Sequence, residues 1–232
     1  CNYNKSYVND IDYQTRELFD AIDLGINGLS IPFYLANRMS EDLAPLDICI
    51  SCPIDYPTGT GSKKVRLHET LAVSKTYVNT VDLVLNPLLV KEDRLLDLKD
   101  EIQAHLRVCN DYGCTLRVII HHNLYSLQRN ISLARVVEDA GCEFIIPSAG
   151  FHNDDIYDNL LTSKIIENKT SIKSICNGYI WLQEQYNTVI DSEVYGLRIY
   201  SLNILWKSRL LVYNKTRNGF YLLGIIGFVM TQ

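Results

Sequence analysis

Three groups of side chains in the sequence have residue types and spacings that could perform chemistry. The spacing of Cys49 and Cys52 is that of a redox pair or of half a zinc site. His121 and His122 are adjacent imidazoles of the kind that ligate metals, and Ser148 is a candidate nucleophile. Each chemistry depends on the secondary structure that positions these residues.

The predicted strands separate these side chains. Adjacent residues on a strand, and residues three apart, point to opposite faces, so neither the two sulfurs nor the two imidazoles converge. Ser148 lacks the Gly-x-Ser-x-Gly elbow of an activated serine, and Pro147 restricts the backbone before it. The sequence therefore predicts no metal site and no cofactor.

Length and composition are those of an ordinary globular domain. The chain has 232 residues, of which 47% are hydrophobic and 21% charged, and its formal net charge is −5. A disordered chain would contain fewer apolar residues. Nucleic-acid-binding proteins carry clustered Lys and Arg, whereas no run of like charge here exceeds Lys63-Lys64, so no nucleic-acid partner is expected.

The cysteines and the chain ends bear on the cellular compartment. Seven dispersed cysteines form no disulfide pattern, which favours a reducing, intracellular compartment such as the cytoplasm or an organelle matrix. The first residue is Cys1 rather than Met, which indicates a processed or trimmed product. The apolar run 219–230 is shorter than the about 20 residues of a spanning helix, so no membrane span is expected.

Short, near-continuous apolar runs alternate with amphipathic segments along the chain. Such runs are typical of parallel strands that are covered on both faces. The segments between them carry apolar residues at three- and four-residue steps, the pattern of amphipathic helices. The predicted strands are 28–32, 47–54, 81–86, 115–121, 143–147, 171–175 and 196–201.

Seven strands separated by helices indicate an α/β fold, a (βα)8 TIM barrel, with an eighth strand expected from residues 6–8. We predict that the barrel spans 1–209 and carries its functional residues at the carboxyl ends of the strands. Residues 210–232 are predicted to be a short apolar extension. Its two apolar runs flank a turn rich in Asn and Gly, so we expect a hairpin that docks on another protein subunit.

The predicted strand ends resemble those of the deoxyribose-phosphate aldolase family, class I aldolases built on a (βα)8 barrel. Val81-Asp-Leu-Val84 resembles the family's Val-Asp-Met-Val, and Leu116-Arg-Val-Ile-Ile120 resembles its Leu-Lys-Val-Ile-Ile. Four more segments match in the correct order, namely Cys52-Pro-Ile-Asp-Tyr-Pro-Thr-Gly59, 140–151, Ile172-Lys173-Ser174 and Gly196-Leu-Arg-Ile199. The resemblance covers residues 25–206 and implies a common fold.

The resemblance also implies that the catalytic nucleophile is missing. In the family, a neutral lysine amine in the pattern Val-Lys-Thr-Ser-Thr-Gly attacks the substrate carbonyl and forms a Schiff base. The corresponding segment here is Ile145-Ile146-Pro147-Ser148-Ala149-Gly150, so Ile146 replaces the nucleophile. An isoleucine cannot form an imine.

Two other catalytic positions match the family. Asp82 corresponds to the aspartate that helps proton transfer, and Lys173 corresponds to a lysine that depresses the pKa of the nucleophile. Because position 146 is not a lysine, Lys173 has no nucleophile whose pKa it could depress. The favoured interpretation is a structural ion pair between Asp82 and Lys173 in the barrel mouth.

By the same resemblance, the substrate phosphate would lie near Asn177, Gly178, Ser201 and Asn203. The family cradles the phosphate with backbone N–H groups of a Gly-Gly turn and with small serines. Leu202 brings a bulky side chain to this position. Phosphate binding is therefore not favoured, and neither is another small-molecule ligand.

Three functions follow, of which the first has the most support and the other two have equal support. The first is a pseudoenzyme, a catalytically inactive aldolase-like barrel that serves as a structural or interaction subunit of a larger assembly. The second is an active deoxyribose-phosphate aldolase, or a related carbon–carbon lyase, that uses Lys173 and Asp82. The third is a small-molecule-binding barrel with Asp82, Lys173 and His121 as the polar groups of its mouth.

Overall fold

The fold is a closed barrel of eight parallel strands, described by a computed structural model. The structure describes residues 16, 19–20, 22–23, 26–38, 40–45, 47–150, 155–199 and 221–225. The strands are β1 (Gly28–Ser30), β2 (Cys49–Ile54), β3 (Thr80–Val84), β4 (Thr115–Ile119), β5 (Phe144–Ile146), β6 (Lys173–Gly178), β7 (Gly196–Ile199) and β8 (Tyr221–Ile225). The predicted parallel α/β barrel is confirmed.

The apolar segment near the end of the chain supplies the last strand of the barrel. Strand β8 pairs in parallel with β7 on one side and with β1 on the other. The prediction that 210–232 forms an extension outside the barrel is therefore wrong for Tyr221–Ile225. The other arm of the predicted hairpin and the strand expected at 6–8 lie outside the described residues.

In the part of the chain that the structure describes, helices follow strands β1 to β6. They are α1 (Phe33–Arg38), α2 (Ser40–Leu43), α3 (Lys63–Ser74), α4 (Pro87–Lys91), α5 (Leu95–Asp111), α6 (Leu127–Asp139), α7 (Ile156–Lys169) and α8 (Gln183–Asp191), and a 3₁₀ turn spans His122–Leu124. Within the described ranges, no helix combines the length and the apolar character that crossing a bilayer requires.

Short polar residues cap the starts of three of these helices. The side chain of Asn86 accepts a hydrogen bond from the N–H of Leu88 at the start of α4, and Ser126 accepts one from Arg129 in α6. Asp155 accepts bonds from two N–H groups of α7. These caps satisfy donors that a helix start leaves unpaired, and they fix where the chain turns away from the barrel.

Alternation along each strand divides the buried side chains into two groups. Ile50, Cys52 and Ile54 of β2 belong to the large core between the strands and the helices. The residues between them point into the barrel, as Ser51 does when it contacts Asp82 of β3. Cys49 likewise contacts Thr80, so the predicted separation of Cys49 and Cys52 onto opposite faces is confirmed.

Candidate functional site in the barrel

An aliphatic cluster fills the inside of the barrel from the middle of the strands to the mouth, the opening at their carboxyl ends. Its members are Val84, Ile119, Ile146, Ala149 and Ile175, and each is at most 2% exposed. Val84, Ile119 and Ile146 are aligned across β3, β4 and β5. The position that the family resemblance assigns to the nucleophile is thus a packed aliphatic side chain.

The loop after β2 brings Tyr56 over this cluster. Its ring packs on the aliphatic cluster, and its hydroxyl donates a hydrogen bond to the carbonyl of Ala149 after β5. Gly59 makes the loop's path possible, since its φ is +69° and a Cβ there would lie 2.3 Å from the carbonyl oxygen of Leu85. The ring of Tyr56 therefore links the loop after β2 to the loop after β5.

A buried arginine holds the same loop against the barrel. The guanidinium of Arg66 on α3 lies 3.2 Å from Asp55 in the loop and 2.8 Å from Glu101 on α5. It also donates to the carbonyl of Val84 at the end of β3. One side chain thus connects two strand ends and two helices, and it is only 1% exposed.

Asp82 and two arginines form a charged centre inside the barrel. Asp82 accepts hydrogen bonds from Nε and Nη2 of Arg117 on β4, at 2.6 and 2.9 Å. Arg198 of β7 donates to Asp82 at 3.3 Å and to the hydroxyl of Ser30 at 2.8 Å, and Ser51 donates to Asp82 at 3.0 Å. All of these side chains are buried.

The charged centre keeps Asp82 ionised. Burial alone would raise the pKa of Asp82, but the charges of Arg117 and Arg198 and the hydrogen bonds to its carboxylate lower that pKa below its ordinary value. On β3 and β4, the charged residues precede Val84 and Ile119 by two positions. The aliphatic side chains of these two strands therefore lie between the charged centre and the mouth.

Lys173 lies at the opposite end of the barrel from the mouth. It is the first residue of β6, its side chain is 46% exposed, and its Nζ lies 3.3 Å from the carboxylate of Glu143. Its Nζ also lies 5.2 Å from the ring centre of Phe144. The predicted ion pair between Asp82 and Lys173 is wrong, because Lys173 pairs with Glu143 and Asp82 pairs with Arg117 and Arg198.

The two histidines after β4 are buried. The ring nitrogens of His122 lie 2.6 Å from the side-chain oxygen of Asn159 and 3.1 Å from the hydroxyl of Thr162. The carbonyl of His122 accepts a hydrogen bond from Asn130. His121 is 3% exposed. No group of three or more metal-ligating side chains occurs among the residues that the structure describes.

Of the residues predicted near the phosphate, Asn177 binds the loop after β5. The side-chain amide of Asn177 accepts from the N–H of Ser148 at 3.2 Å and donates to the carbonyl of Ser148 at 2.8 Å. At Gly178, an added Cβ would lie 3.1 Å from the side chain of Ile156. Ser201 and Asn203 lie outside the described residues.

Sequence reasoning assigned no role to Arg66, Arg117 or Arg198. A usable signal was present for the last two, since each is a single charged residue inside an apolar strand, in Leu116-Arg-Val-Ile and Gly196-Leu-Arg-Ile. A charge at an inward position of a buried strand requires a buried partner. Asp82 is the corresponding negatively charged residue, since it is a single acid inside the apolar strand segment Val81-Asp-Leu-Val84.

The relatives of this chain are aldolases. The deoxyribose-phosphate aldolase of Staphylococcus epidermidis is 25% identical over 155 residues, which are 66% of this chain and 69% of that protein. The deoxyribose-phosphate aldolase of Lactiplantibacillus plantarum is 22% identical over 184 residues, or 78% of this chain and 83% of that protein. No protein-family model matches the chain.

Solved structures show the same barrel. The aldolase QR15 superposes with a TM-score of 0.77 at 17% identity, covering 90% of this chain and 94% of its own. The tetrameric deoxyribose phosphate aldolase of Aeropyrum pernix superposes with a TM-score of 0.76 at 15% identity. The match covers 87% of this chain and 85% of that protein. The chain is therefore similar in sequence to deoxyribose-phosphate aldolases and has the same fold as solved aldolase structures.

Proposed function

We propose that this chain is an aldolase-like barrel without Schiff-base catalysis, which serves as a structural or interaction subunit of a larger assembly. The observation that carries the proposal is the environment of Ile146. The side chain at the position of the family's nucleophile is fully buried among aliphatic residues, and it contains no nitrogen to attack a carbonyl.

Among the described residues, Lys173 is the one lysine on a strand of the barrel. The other described lysines lie on α3, α4, α5 and α7 or, for Lys75, directly after α3, and Lys173 is at the amino-terminal end of the barrel beside Glu143. The cations inside the barrel are the guanidiniums of Arg117 and Arg198, which stay protonated and form no Schiff base. The described interior therefore supplies no amine nucleophile.

Proton transfer by Asp82 is equally disfavoured. A carboxylate that transfers protons near neutral pH needs a pKa near that pH. The pKa of Asp82 is lowered instead, and its oxygens already accept bonds from Arg117, Arg198 and Ser51. These contacts support a role for Asp82 in holding the barrel strands together.

The two alternatives fit this geometry less well. An active aldolase that uses Lys173 and Asp82 needs both groups at one substrate, but Lys173 is paired with Glu143 at the end opposite the mouth. A small-molecule site in the mouth needs exposed polar groups, but Val84 and Ile119 separate Asp82 from the mouth along β3 and β4. Asn177 is committed to the backbone of Ser148.

Exposed apolar side chains support the interaction role. Trp181 is 63% exposed at the end of β6, where its ring stacks on that of Tyr179 at a centroid distance of 5.4 Å. Leu182 beside it is exposed as well. Large apolar side chains grouped on a surface are typical of sites that contact another protein.

An assay of aldehyde release from deoxyribose 5-phosphate tests the catalytic half of the proposal. The S. epidermidis relative serves as the positive control at the same protein concentration. We expect no release above the rate in buffer alone. Sustained turnover by the purified chain would overturn the proposal.

The interaction role is tested by isolating the chain from its native source and identifying the proteins that copurify with it in stoichiometric amounts. A chain that purifies alone contradicts this role.

A further inference from the structure

The outer surface of the barrel carries a groove between α3 and α5 that is unrelated to the mouth. The groove has a volume of about 860 Å³ and is open to solvent. Its apolar lining consists of Val65, Leu67 and Leu71 from α3 together with Ala104 and Val108 from α5. Val65 is 64% exposed, so the lining is not covered by the described parts of the chain.

Buried polar contacts keep the two helices side by side. Arg66 binds Glu101 at 2.8 Å, and the hydroxyl of Thr70 lies 2.7 Å from Nδ1 of His105. Each pair joins residues 35 positions apart, so α3 and α5 run parallel and advance together. The groove walls are therefore held in place by the barrel itself.

The edges of the groove carry positive charge, although the chain as a whole is acidic. Lys64 and Arg107 line it with His68, against a single acid, Asp111. The net charge of the whole chain is −5. An acidic partner is thus attracted to this groove while most of the remaining surface repels it.

The start of α3 adds to this positive potential. Its first turn contains Lys63 and Lys64 and no acidic residue, and Ser62 makes no capping hydrogen bond with its side chain. A helix start already carries partial positive charge, which acidic residues commonly offset. Here nothing in the first turn of the helix does so.

From this combination we infer that the groove between α3 and α5 binds an acidic amphipathic helix of a partner protein. Each wall has a pair of apolar residues four positions apart, Leu67 and Leu71 on α3 and Ala104 and Val108 on α5. Paired walls of this kind can accept the apolar side chains of a helix at i, i+3 or i+4, and i+7. Glutamates or aspartates beside that apolar stripe would face Lys64, His68 and Arg107. This inference deepens the proposed interaction role, on which it rests, by specifying the chemistry of the partner.

Two fluorescein-labelled peptides test the inference by fluorescence anisotropy on the full chain. Both have the same apolar stripe, which is flanked by glutamates in one peptide and by lysines in the other. We expect the acidic peptide to bind at least about tenfold more tightly than the basic one. We also expect its affinity to fall by about tenfold or more in Val65→Glu and in Arg107→Glu.

Leu161→Glu is the matched control, because Leu161 is equally exposed but lies on α7. This variant should bind the acidic peptide as the wild type does. The inference is overturned if both peptides bind alike, if Val65→Glu binds as the wild type does, or if binding is absent up to about 1 mM peptide. Self-association of the wild type that Val65→Glu abolishes would assign the groove to a second copy and would also overturn it. None of these results depends on catalysis, so aldehyde release by the same protein would overturn the proposed function separately.

Discussion

Asp82 and Arg117 face each other on neighbouring strands inside the barrel, joined by two hydrogen bonds of 2.6 and 2.9 Å. Neither side chain has more than 5% of its surface exposed. In a catalytic barrel, a buried carboxylate with a free oxygen could move protons. Here both oxygens accept from arginine, so the pair joins β3 to β4, and Arg198 extends the contact to β7.

Removal of one partner from this pair should destabilise the barrel strongly. Arg117→Met leaves the carboxylate of Asp82 buried with fewer compensating donors, and such losses are worth about 3–5 kcal/mol. Urea unfolding followed by circular dichroism measures the effect. The exposed Arg94, which pairs with Glu92 and Asp97, provides the control, and Arg94→Met should change stability by less than about 1 kcal/mol. Equal effects of the two substitutions would mean that the charged centre does not stabilise the fold.

His105 should make stability depend on pH below neutrality. Burial, followed by the nearby charges of Arg66 and Lys63, lowers the pKa of His105 from 6.5 to about 3. The unfolded chain therefore binds a proton below pH 6.5 that the folded chain does not bind, and stability falls as the pH decreases from 6.5 toward 3. The expected loss is about 1.4 kcal/mol per pH unit, or about 2 kcal/mol at pH 5.

The His105→Gln variant isolates this effect. The difference in unfolding free energy between pH 7 and pH 5 should shrink by about 2 kcal/mol relative to the wild type. His68→Gln is the control, since His68 is exposed on α3, which packs beside the helix of His105. This variant should keep the wild-type difference in unfolding free energy between pH 7 and pH 5. An undiminished pH dependence in His105→Gln would show that other groups control it.

Strand β8 should be essential for the barrel. Its residue Leu223 is aligned with Arg198 of β7 and with Gly28 of β1. Leu223→Pro removes a backbone donor from a strand that is paired on both sides, so we expect a loss of more than about 2 kcal/mol. The matched variant Leu223→Ile retains the donor and should cost less than about 1.5 kcal/mol. A proline variant with wild-type stability would contradict the closure of the barrel through β8.

Restoring a lysine at position 146 should not restore catalysis. Ile146 is aligned with Ile119 of β4 and packs in the aliphatic cluster. Ile146→Lys replaces an apolar side chain of this packed cluster with a cation that has to be desolvated. We expect lower stability and no aldehyde release, whereas Ile146→Met should lose less than about 1.5 kcal/mol. Turnover by the lysine variant would show that the rest of the site is intact.

The sequence predicted most of the barrel because its strands are near-continuous apolar runs. The run predicted at 81–86 corresponds to Thr80–Val84, and the run at 115–121 to Thr115–Ile119. Strand β8 was missed because an apolar run behind an Asn- and Gly-rich turn is also typical of a hairpin. Its pairing with β1 joins residues nearly 200 positions apart, and local periodicity carries no information on such contacts.

The candidate site was only partly predictable for the same reason. A short local motif predicted that Ile146 replaces the nucleophile, and the structure places Ile146 in the buried aliphatic cluster. Lys173 was misplaced because a motif match does not reveal where on the strand a residue stands, and β6 begins at that residue. The bond between Asp82 and Arg198 spans 116 positions and emerges only when the barrel closes.

Covalent trapping tests the central claim most directly. The chain is incubated with deoxyribose 5-phosphate and sodium borohydride, which reduces any Schiff base to a stable amine, and the intact mass is then measured beside the S. epidermidis relative. The absence of an amine nucleophile among the described residues of the barrel predicts an unchanged mass, while the relative gains one adduct. A stoichiometric adduct that peptide mapping assigns to a lysine of this chain would contradict the account.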